Sequence, residues 1–487
     1  MPATTIAAAQ PGLPVWQSVV FGIVGLASFQ LAYTFDALAI LIFVYLWCLL
    51  EISRQKTGRK AFYTGLAMGL ATLGVQLSFF WNIFGTAAIA LWIIVGLWIA
   101  MFTTLARSCR NRFGKTAAIF LIPFLWTGLE YFRSELYYLR FSWLNEGYVF
   151  SNSGLRSVLG FLGMYGMGFV LMMVASLSAW FGMRKRIFFN ISFVFLLAVV
   201  SLIFGRLNGQ SNATNPINGV EVGGIQMEFP TESDVLYRLK SFAKNLSAPA
   251  RPNDQLIVLS ECTFDGPVPP GICNWCKANH RWLIAGGKTP AGTTNYFNTA
   301  FVINTNGDVV FSQVKSVPVQ FFKDGLPATE QKLWQSPWGP MGICICYDLS
   351  YTRVTDELVR QGAKAIIVPT MDVADWGLHQ HLLHARVAPT RAAEYGIPIF
   401  RVASSGISQL VDSGGNITAS APFRGEGEIL SGALDLTHAG SLPLDRHFAP
   451  LTVGVTAVVL IICIFSNCKS KSAPTPSTHD HNPAVHT

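Results

Sequence analysis

Two hydrophobic patterns divide the chain. Long apolar runs fill roughly 15–205 and return at 450–467, and the stretch between them mixes apolar and polar positions as a globular domain does. A membrane span needs about 20 predominantly apolar residues. By that measure spans are expected near 15–33, 35–50, 62–80, 86–106, 116–133, 157–182, 187–205 and 450–467. They form an N-terminal membrane domain (1–205) of about seven transmembrane helices and one closing helix (450–467). In the middle stretch, 206–449, short apolar runs bounded by turn residues predict strands. They fall at 220–226, 255–260, 282–286, 301–304, 309–314, 341–347, 365–369, 397–402 and 407–411. Helices are expected at 233–246, 353–362 and 379–395, the last kinked at Pro389. Asn306-Gly307 between two of the strands is a hairpin signal, because this pair supplies positive φ. Mixed helices and strands with hairpins imply a layered α/β sandwich rather than a purely parallel sheet. The tail 468–487, rich in Ser, Thr, Pro, Asn and His, is expected to be disordered.

Composition sharpens this division. With 51% hydrophobic and 13% charged residues, the chain is neither a fully soluble enzyme nor a disordered protein. The net charge is +8, and its location matters more than its sum. Positive residues cluster between apolar runs: Arg54, Lys56, Arg59 and Lys60; Arg107, Arg110, Arg112 and Lys115; Arg184, Lys185 and Arg186; Lys469 and Lys471. Loops retained in the cytoplasm carry this signature. Counting crossings from an inside 51–60 loop returns every cluster to that side. Both termini are then cytoplasmic, and 206–449 lies on the opposite, periplasmic face. The first apolar run is preceded by no charge and followed by no small-residue cleavage site, so it reads as a retained span. The bilayer is thus an expected partner and nucleic acid is not. The aromatic segment 134–156, with Tyr137, Tyr138, Phe141, Trp143 and Tyr148, suits either an interfacial anchor or a lipid-facing wall of a site.

The nine cysteines show no disulfide framework. Cys273 and Cys276 with His280 have a zinc-like spacing, but no second pair completes four ligands. Of His379, His381 and His384, the first two do not share a helical face, and no acidic ligand is fixed by spacing, so no metal and no diffusible cofactor is expected. Three other residues stand at strand ends, where a rigid backbone can present a side chain to a ligand. Glu261 follows LIVLS, Lys315 follows VVFSQV, and Cys346 lies in MGICICYD. Such a set divides the labour of acyl chemistry. The cysteine is the nucleophile, the glutamate takes and returns its proton, and the lysine stabilises an anionic tetrahedral intermediate with a backbone N–H. From spacing alone, a surface acid and a buried strand cysteine remain open.

The segments LIVLSECTF, MGICICYDLSY, AIIVPTMDVADWG and TRAAEYGIPIFRVASSGISQLVDSGG resemble the carbon–nitrogen hydrolase (nitrilase) superfamily. That resemblance implies a Glu–Lys–Cys triad on an αββα sandwich. A block of spans, such a domain and a closing span together resemble the bacterial apolipoprotein N-acyltransferase family. RFSWLNEGY, GGIQMEFP and the segment from His384 to Glu394 are similar to stretches of that family. The expected architecture is therefore a polytopic α-helical membrane block plus a nitrilase-like αββα sandwich. Residue by residue, the resemblance implies Glu261 as base and Cys346 as nucleophile. It implies supporting roles for Tyr347 and for Asp348, which replaces a more usual Glu. The lysine motif departs from the family. An ungapped match puts Gln313 at its place and a two-residue deletion puts Lys315 there; the latter is preferred, because the triad needs its cation. The Glu that ends the motif is missing, with Gln320 or Asp324 as substitutes. The implied activity moves an acyl chain from a phospholipid donor, through a cysteine thioester, to the N-terminal amine of a diacylated apolipoprotein. The implied location is the bacterial inner membrane. The alternatives are a membrane-tethered nitrilase-type amidase and a scaffold with a degenerate domain.

Overall fold

The computed structural model describes residues 12–208, 219–245, 255–425 and 427–471. Its N-terminal part is helical. Among the described residues, four helices are long and apolar enough to cross a membrane: Val15–Thr34, Ala87–Leu136, Met183–Ile203 and Asp445–Phe465. A bent pair, Gly154–Leu162 with Met164–Trp180, makes up to five. Several expected spans are built differently. The run at 35–50 is a 3₁₀ turn, Asp36–Leu41, followed by a helix, Ile42–Ile52. The run at 62–80 is a helix, Gly58–Gly69, with a π turn at Leu70–Gly74. The runs at 86–106 and 116–133 form two helices within Ala87–Tyr131 that meet at a kink, Gly114, whose φ of 78° is non-helical. Gly163, at φ 76°, makes the 103° bend. There a Cβ would lie 2.1 Å from the Asp445 carboxylate, so no side chain fits. The closing helix starts at Asp445, earlier than the expected 450, and runs to Lys471. Residues 468–471 are therefore helical, and the rest of the expected disordered tail lies outside the described residues.

Among the described residues the middle domain holds twelve strands in two six-stranded sheets. They are β1 Gly219–Ile225, β2 Gln255–Leu259, β3 Trp282–Ala291, β4 Asn295–Ile303, β5 Val309–Val314, β6 Trp334–Ser336, β7 Gly339–Ile343, β8 Ala365–Thr370, β9 Ile399–Ala403, β10 Ser408–Val411, β11 Ile417–Ala421 and β12 Ile429–Asp435. The first sheet runs β12-β1-β2-β3-β4-β5 and the second β11-β10-β9-β8-β7-β6. Strand side chains alternate in direction, and the packing follows that period of two. Leu256 and Val258 face the inter-sheet core with Ile343, Ile366 and Val368. Ile257 and Leu259 face the other way, onto helices Glu232–Asn245 and Pro270–Asn279 through Leu239, Phe242, Ile272 and Trp275. Helices Thr352–Arg360, Leu378–Ala385 and Val387–Tyr395 follow strands of the second sheet. The expected helix at 379–395 is thus two helices meeting at Arg386. Pro389 sits in the first turn of the second, where its missing N–H has no helical acceptor to lose.

The sandwich docks on the helical block through buried polar contacts. Trp143 Nε1 donates to Ser350 Oγ (2.9 Å), Tyr347 and Tyr351 hydroxyls donate to the Arg140 carbonyl, and Met164 N donates to Glu394 Oε1 (2.6 Å). Arg391, fully buried, bonds the carbonyls of Leu349 and Ser350 and pairs with Glu394. These contacts hold the turn after Cys346 against the 134–156 segment.

Candidate active site

Glu261, Lys315 and Cys346 all lie just past the carboxyl ends of their strands. Glu261 follows β2 and Lys315 follows β5, both in the first sheet, whereas Cys346 follows β7 in the second. The inter-sheet packing brings the three together. The strand expected at 341–347 ends at Ile343, and Cys346 opens a 3₁₀ turn, Cys346–Ser350, with φ of 51°. A non-glycine residue in the left-handed region is uncommon and strained, and such outliers gather at functional sites. The turn lifts the thiol off the sheet.

Lys315 Nζ lies 2.8 Å from Glu261 Oε1 and 2.6 Å from Asp324 Oδ2. Glu261 accepts two further hydrogen bonds, from Asn298 Nδ2 (2.7 Å) and from the Met371 backbone N–H (2.7 Å). The Met371 carbonyl in turn accepts from the Cys346 thiol (3.6 Å). One short segment after β8 therefore touches both carboxylate and thiol. Asn298 also donates to Asp324 Oδ1 (2.8 Å). All three strand-end residues are buried, with Glu261 and Lys315 at most 2% exposed and Cys346 5%. Burial pushes the Glu261 carboxyl up, and Lys315 opposes this only in part. Burial alone would depress the Lys315 ammonium, but Glu261 and Asp324 reverse the sign and hold it well up. Burial, reinforced by Glu261, pushes the Cys346 thiol well up, so at neutral pH it keeps its proton until a base removes it.

The supporting residues separate by role. Asp348 accepts backbone N–H bonds from Ser316 (3.0 Å), Val317 (2.7 Å) and Ile345 (3.2 Å), tying the loop after Lys315 to the cysteine turn. Burial raises its carboxyl to about 6, with Lys315 and those N–H groups opposing. Tyr347 lies beside the thiol, and its hydroxyl reaches the Arg140 carbonyl (3.1 Å). Gln313 is buried away from the site, its amide bonded to the Glu330 carbonyl and the Lys332 N–H. Of the two substitutes for the missing Glu, Asp324 touches Lys315 and Gln320 instead donates to the Tyr138 carbonyl. Asn298 carries no signal in the sequence, whereas Met371, Asp372, His384 and Arg401 lie in segments that carry the resemblance, which assigns them no role. Asp372 is bonded by His384 Nδ1 (2.8 Å) and by Arg401. His384 stacks on Trp143 at 4.5 Å, so it forms part of the wall. Among the described residues no cluster of three or more His, Cys, Asp or Glu is arranged to hold a metal, and the eight described cysteines are unpaired.

Two cavities meet at Cys346. One, about 120 Å³, is apolar and is walled by Phe79, Phe80, Phe84, Phe141 and Trp143 from the helical block. The other, about 590 Å³, is lined by Glu261, Lys315, Asp324, Lys288 and Asp265. Val319, Phe322 and Trp376 border both. Phe321, which also lines the apolar cavity, is exposed. The 134–156 segment thus walls the apolar cavity through Phe141 and Trp143.

Comparison with known proteins covers both halves. Residues 21–177 match the apolipoprotein N-acyltransferase N-terminal domain, and residues 229–443 match the carbon–nitrogen hydrolase domain. An apolipoprotein N-acyltransferase of Geobacter metallireducens is 24% identical over 458 residues, 83% of this chain and 87% of its own length. One of Rickettsia prowazekii is 26% identical over 401 residues, 73% of this chain and 77% of its own. Among solved structures, Saccharomyces cerevisiae Nit3 of the nitrilase superfamily aligns with a TM-score of 0.37 at 22% identity, over 46% of this chain and 93% of that one.

Proposed function

Because the chain belongs to the apolipoprotein N-acyltransferase family, we propose that Cys346 carries a fatty acyl group from a membrane phospholipid to the N-terminal amine of a diacylated lipoprotein. The observation that carries this reading is the position of the thiol. It stands where a buried carboxylate–ammonium pair meets an apolar cavity walled by the membrane-embedded half of the molecule.

In the first half-reaction Glu261 takes the thiol proton as Cys346 Sγ attacks the ester carbonyl of the phospholipid. Lys315 and the Tyr347 backbone N–H stabilise the oxyanion. Collapse of the tetrahedral intermediate breaks the carbon–oxygen bond, and Glu261 returns the proton to the leaving lysophospholipid oxygen. In the second half-reaction the α-amine of an S-diacylglyceryl cysteine attacks the thioester. Its proton passes to Glu261, an amide forms, and the proton returns to the Cys346 sulfur. Aromatic walls limit water, which protects the thioester from hydrolysis. The larger cavity, which holds the charged residues, suits the acceptor's peptide, and the smaller apolar one suits the acyl chain. The apolar helices seat the protein in the inner membrane. The basic loops at the end of the bundle far from Cys346 support a periplasmic catalytic domain with cytoplasmic termini. Hydrolysis of a small amide by the same thiol has less support, since the relatives along most of the chain are acyltransferases.

Intact-mass spectrometry tests the reading. Protein incubated with phospholipid should gain one acyl group on Cys346 and lose it to an added diacylated lipopeptide. Release of free fatty acid with no lipopeptide product, or of ammonia from small amides, would refute acyl transfer.

A further inference from the structure

The end of the helical bundle remote from Cys346 holds a second, chemically distinct cavity. Helix Val15–Thr34 gives the separation: Leu13, just before it, bonds the Arg54 carbonyl, and Tyr33, near its other end, bonds Asn145 beside the sandwich. Twenty helical residues span about 30 Å. At the remote end a cavity of about 160 Å³ is lined by Arg54, Arg110, Lys115, Arg186 and Glu51. These residues come from three of the basic loops in the sequence, which the fold gathers around one hollow.

The charges do not balance. Arg54 and Arg186 both pair with Glu51, at 2.6 and 2.5 Å, and use up that carboxylate. Among the described residues Arg110 bonds the Leu50 carbonyl (3.0 Å) and the Ser53 hydroxyl (2.5 Å) and no carboxylate. Lys115 has no ion-pair partner among the described residues, and the buried Nε of Arg186 has no hydrogen-bond partner. Four cations thus face one anion in a partly enclosed space. Leu50, Ile119 and Ile122 complete the wall, so the cavity joins cationic donors to hydrocarbon. A solvated loop needs neither feature, whereas basic hollows between membrane helices fit anionic head groups.

We propose that this cavity binds the phosphate of an anionic phospholipid from the leaflet opposite the active site, with Arg110 and Lys115 as its free cationic ligands. The leaflet assignment rests on the membrane orientation given above, but the binding itself does not depend on catalysis. A free phosphate has the same charge chemistry, and the apolar wall selects the lipid.

The full-length protein, purified in detergent, would be titrated with dioleoyl phosphatidylglycerol and read by native mass spectrometry. Dioleoyl phosphatidylcholine and inorganic phosphate serve as comparison ligands. One phosphatidylglycerol should be retained at concentrations where neither comparison ligand is. R110Q/K115Q should weaken that binding at least tenfold, R110K/K115R should retain it, and R59Q/K60Q, which changes exposed charges outside the cavity, should leave it unchanged. Thermal midpoints of the variants check that each is folded. Equal retention by folded R110Q/K115Q, or equal loss in R59Q/K60Q, would overturn the site. Saturation by inorganic phosphate at the same concentrations would overturn the lipid assignment.

Discussion

Replacing Glu261 by Gln isolates the proton-transfer step with almost no change in volume. The Glu261 carboxylate accepts three hydrogen bonds: Lys315 and Asn298 on Oε1, and the Met371 N–H on Oε2. An amide has only one oxygen. If that oxygen faces Lys315 and Asn298, the new NH₂ meets the Met371 N–H donor to donor. If it faces Met371, the NH₂ meets two donors. One unsatisfied buried contact costs about 1–3 kcal/mol. Lys315 keeps Asp324 as a partner at 2.6 Å, so its charge stays compensated and the fold should survive. The larger effect is on chemistry. The Cys346 thiol holds its proton well above neutrality, so without a base few molecules carry a thiolate. Loss of a positioned base slows a reaction by about 10²–10⁴-fold, which is about 3–5 kcal/mol in barrier height. Single-turnover acylation by phospholipid, followed by intact mass, measures this step directly. The E261Q rate should fall by that factor while phospholipid binding changes little. A folded variant acylating within tenfold of the wild-type rate would show that Glu261 is not the base.

Lys315→Met should abolish acylation and destabilise the domain by about 3–5 kcal/mol, because it leaves buried Glu261 and partly buried Asp324 without their cation. Gln313→Ala should keep acylation near wild type, and parallel acylation and denaturation assays separate the two. Cys346→Gly should be more stable than Cys346→Ala by about 1 kcal/mol in chemical denaturation, since φ of 51° strains any residue bearing a Cβ; equal stabilities would remove the strain. The rate of acyl-enzyme formation should fall on the acid side with an apparent pKa above the ordinary glutamate value of about 4.3. The sign follows because burial raises the Glu261 carboxyl and only its deprotonated form accepts the thiol proton. A limb at or below the ordinary value contradicts this. Gly163→Ala should lower the thermal midpoint, as its Cβ would overlap the Asp445 carboxylate at 2.1 Å; an unchanged midpoint would show that the bend relaxes freely.

Sequence alone determined the division into an apolar helical part and an α/β domain, because the period and length of apolar runs are local properties. It also placed Glu261, Lys315 and Cys346 at strand ends, since a strand's end can be read from its own residues. It did not decide between Gln313 and Lys315. An ungapped match gives Gln313 and a two-residue deletion gives Lys315, whereas the β4–β5 register carries Lys315 past the last ladder pair to the rim and keeps Gln313 opposite Ala300. Nor did it find Asn298, the Met371 N–H or the role of Asp324, which reach Glu261 and Lys315 from distant points in the chain. The same limit applies to the membrane block. Apolar runs marked out where helices lie, but not that Gly114 would kink the junction between two of them or that Gly163 would bend another against Asp445. Only the folded molecule decided which side chains share a hollow. Contacts across the two sheets and across the bundle depend on how separate elements pack, and no pattern within one element records that packing.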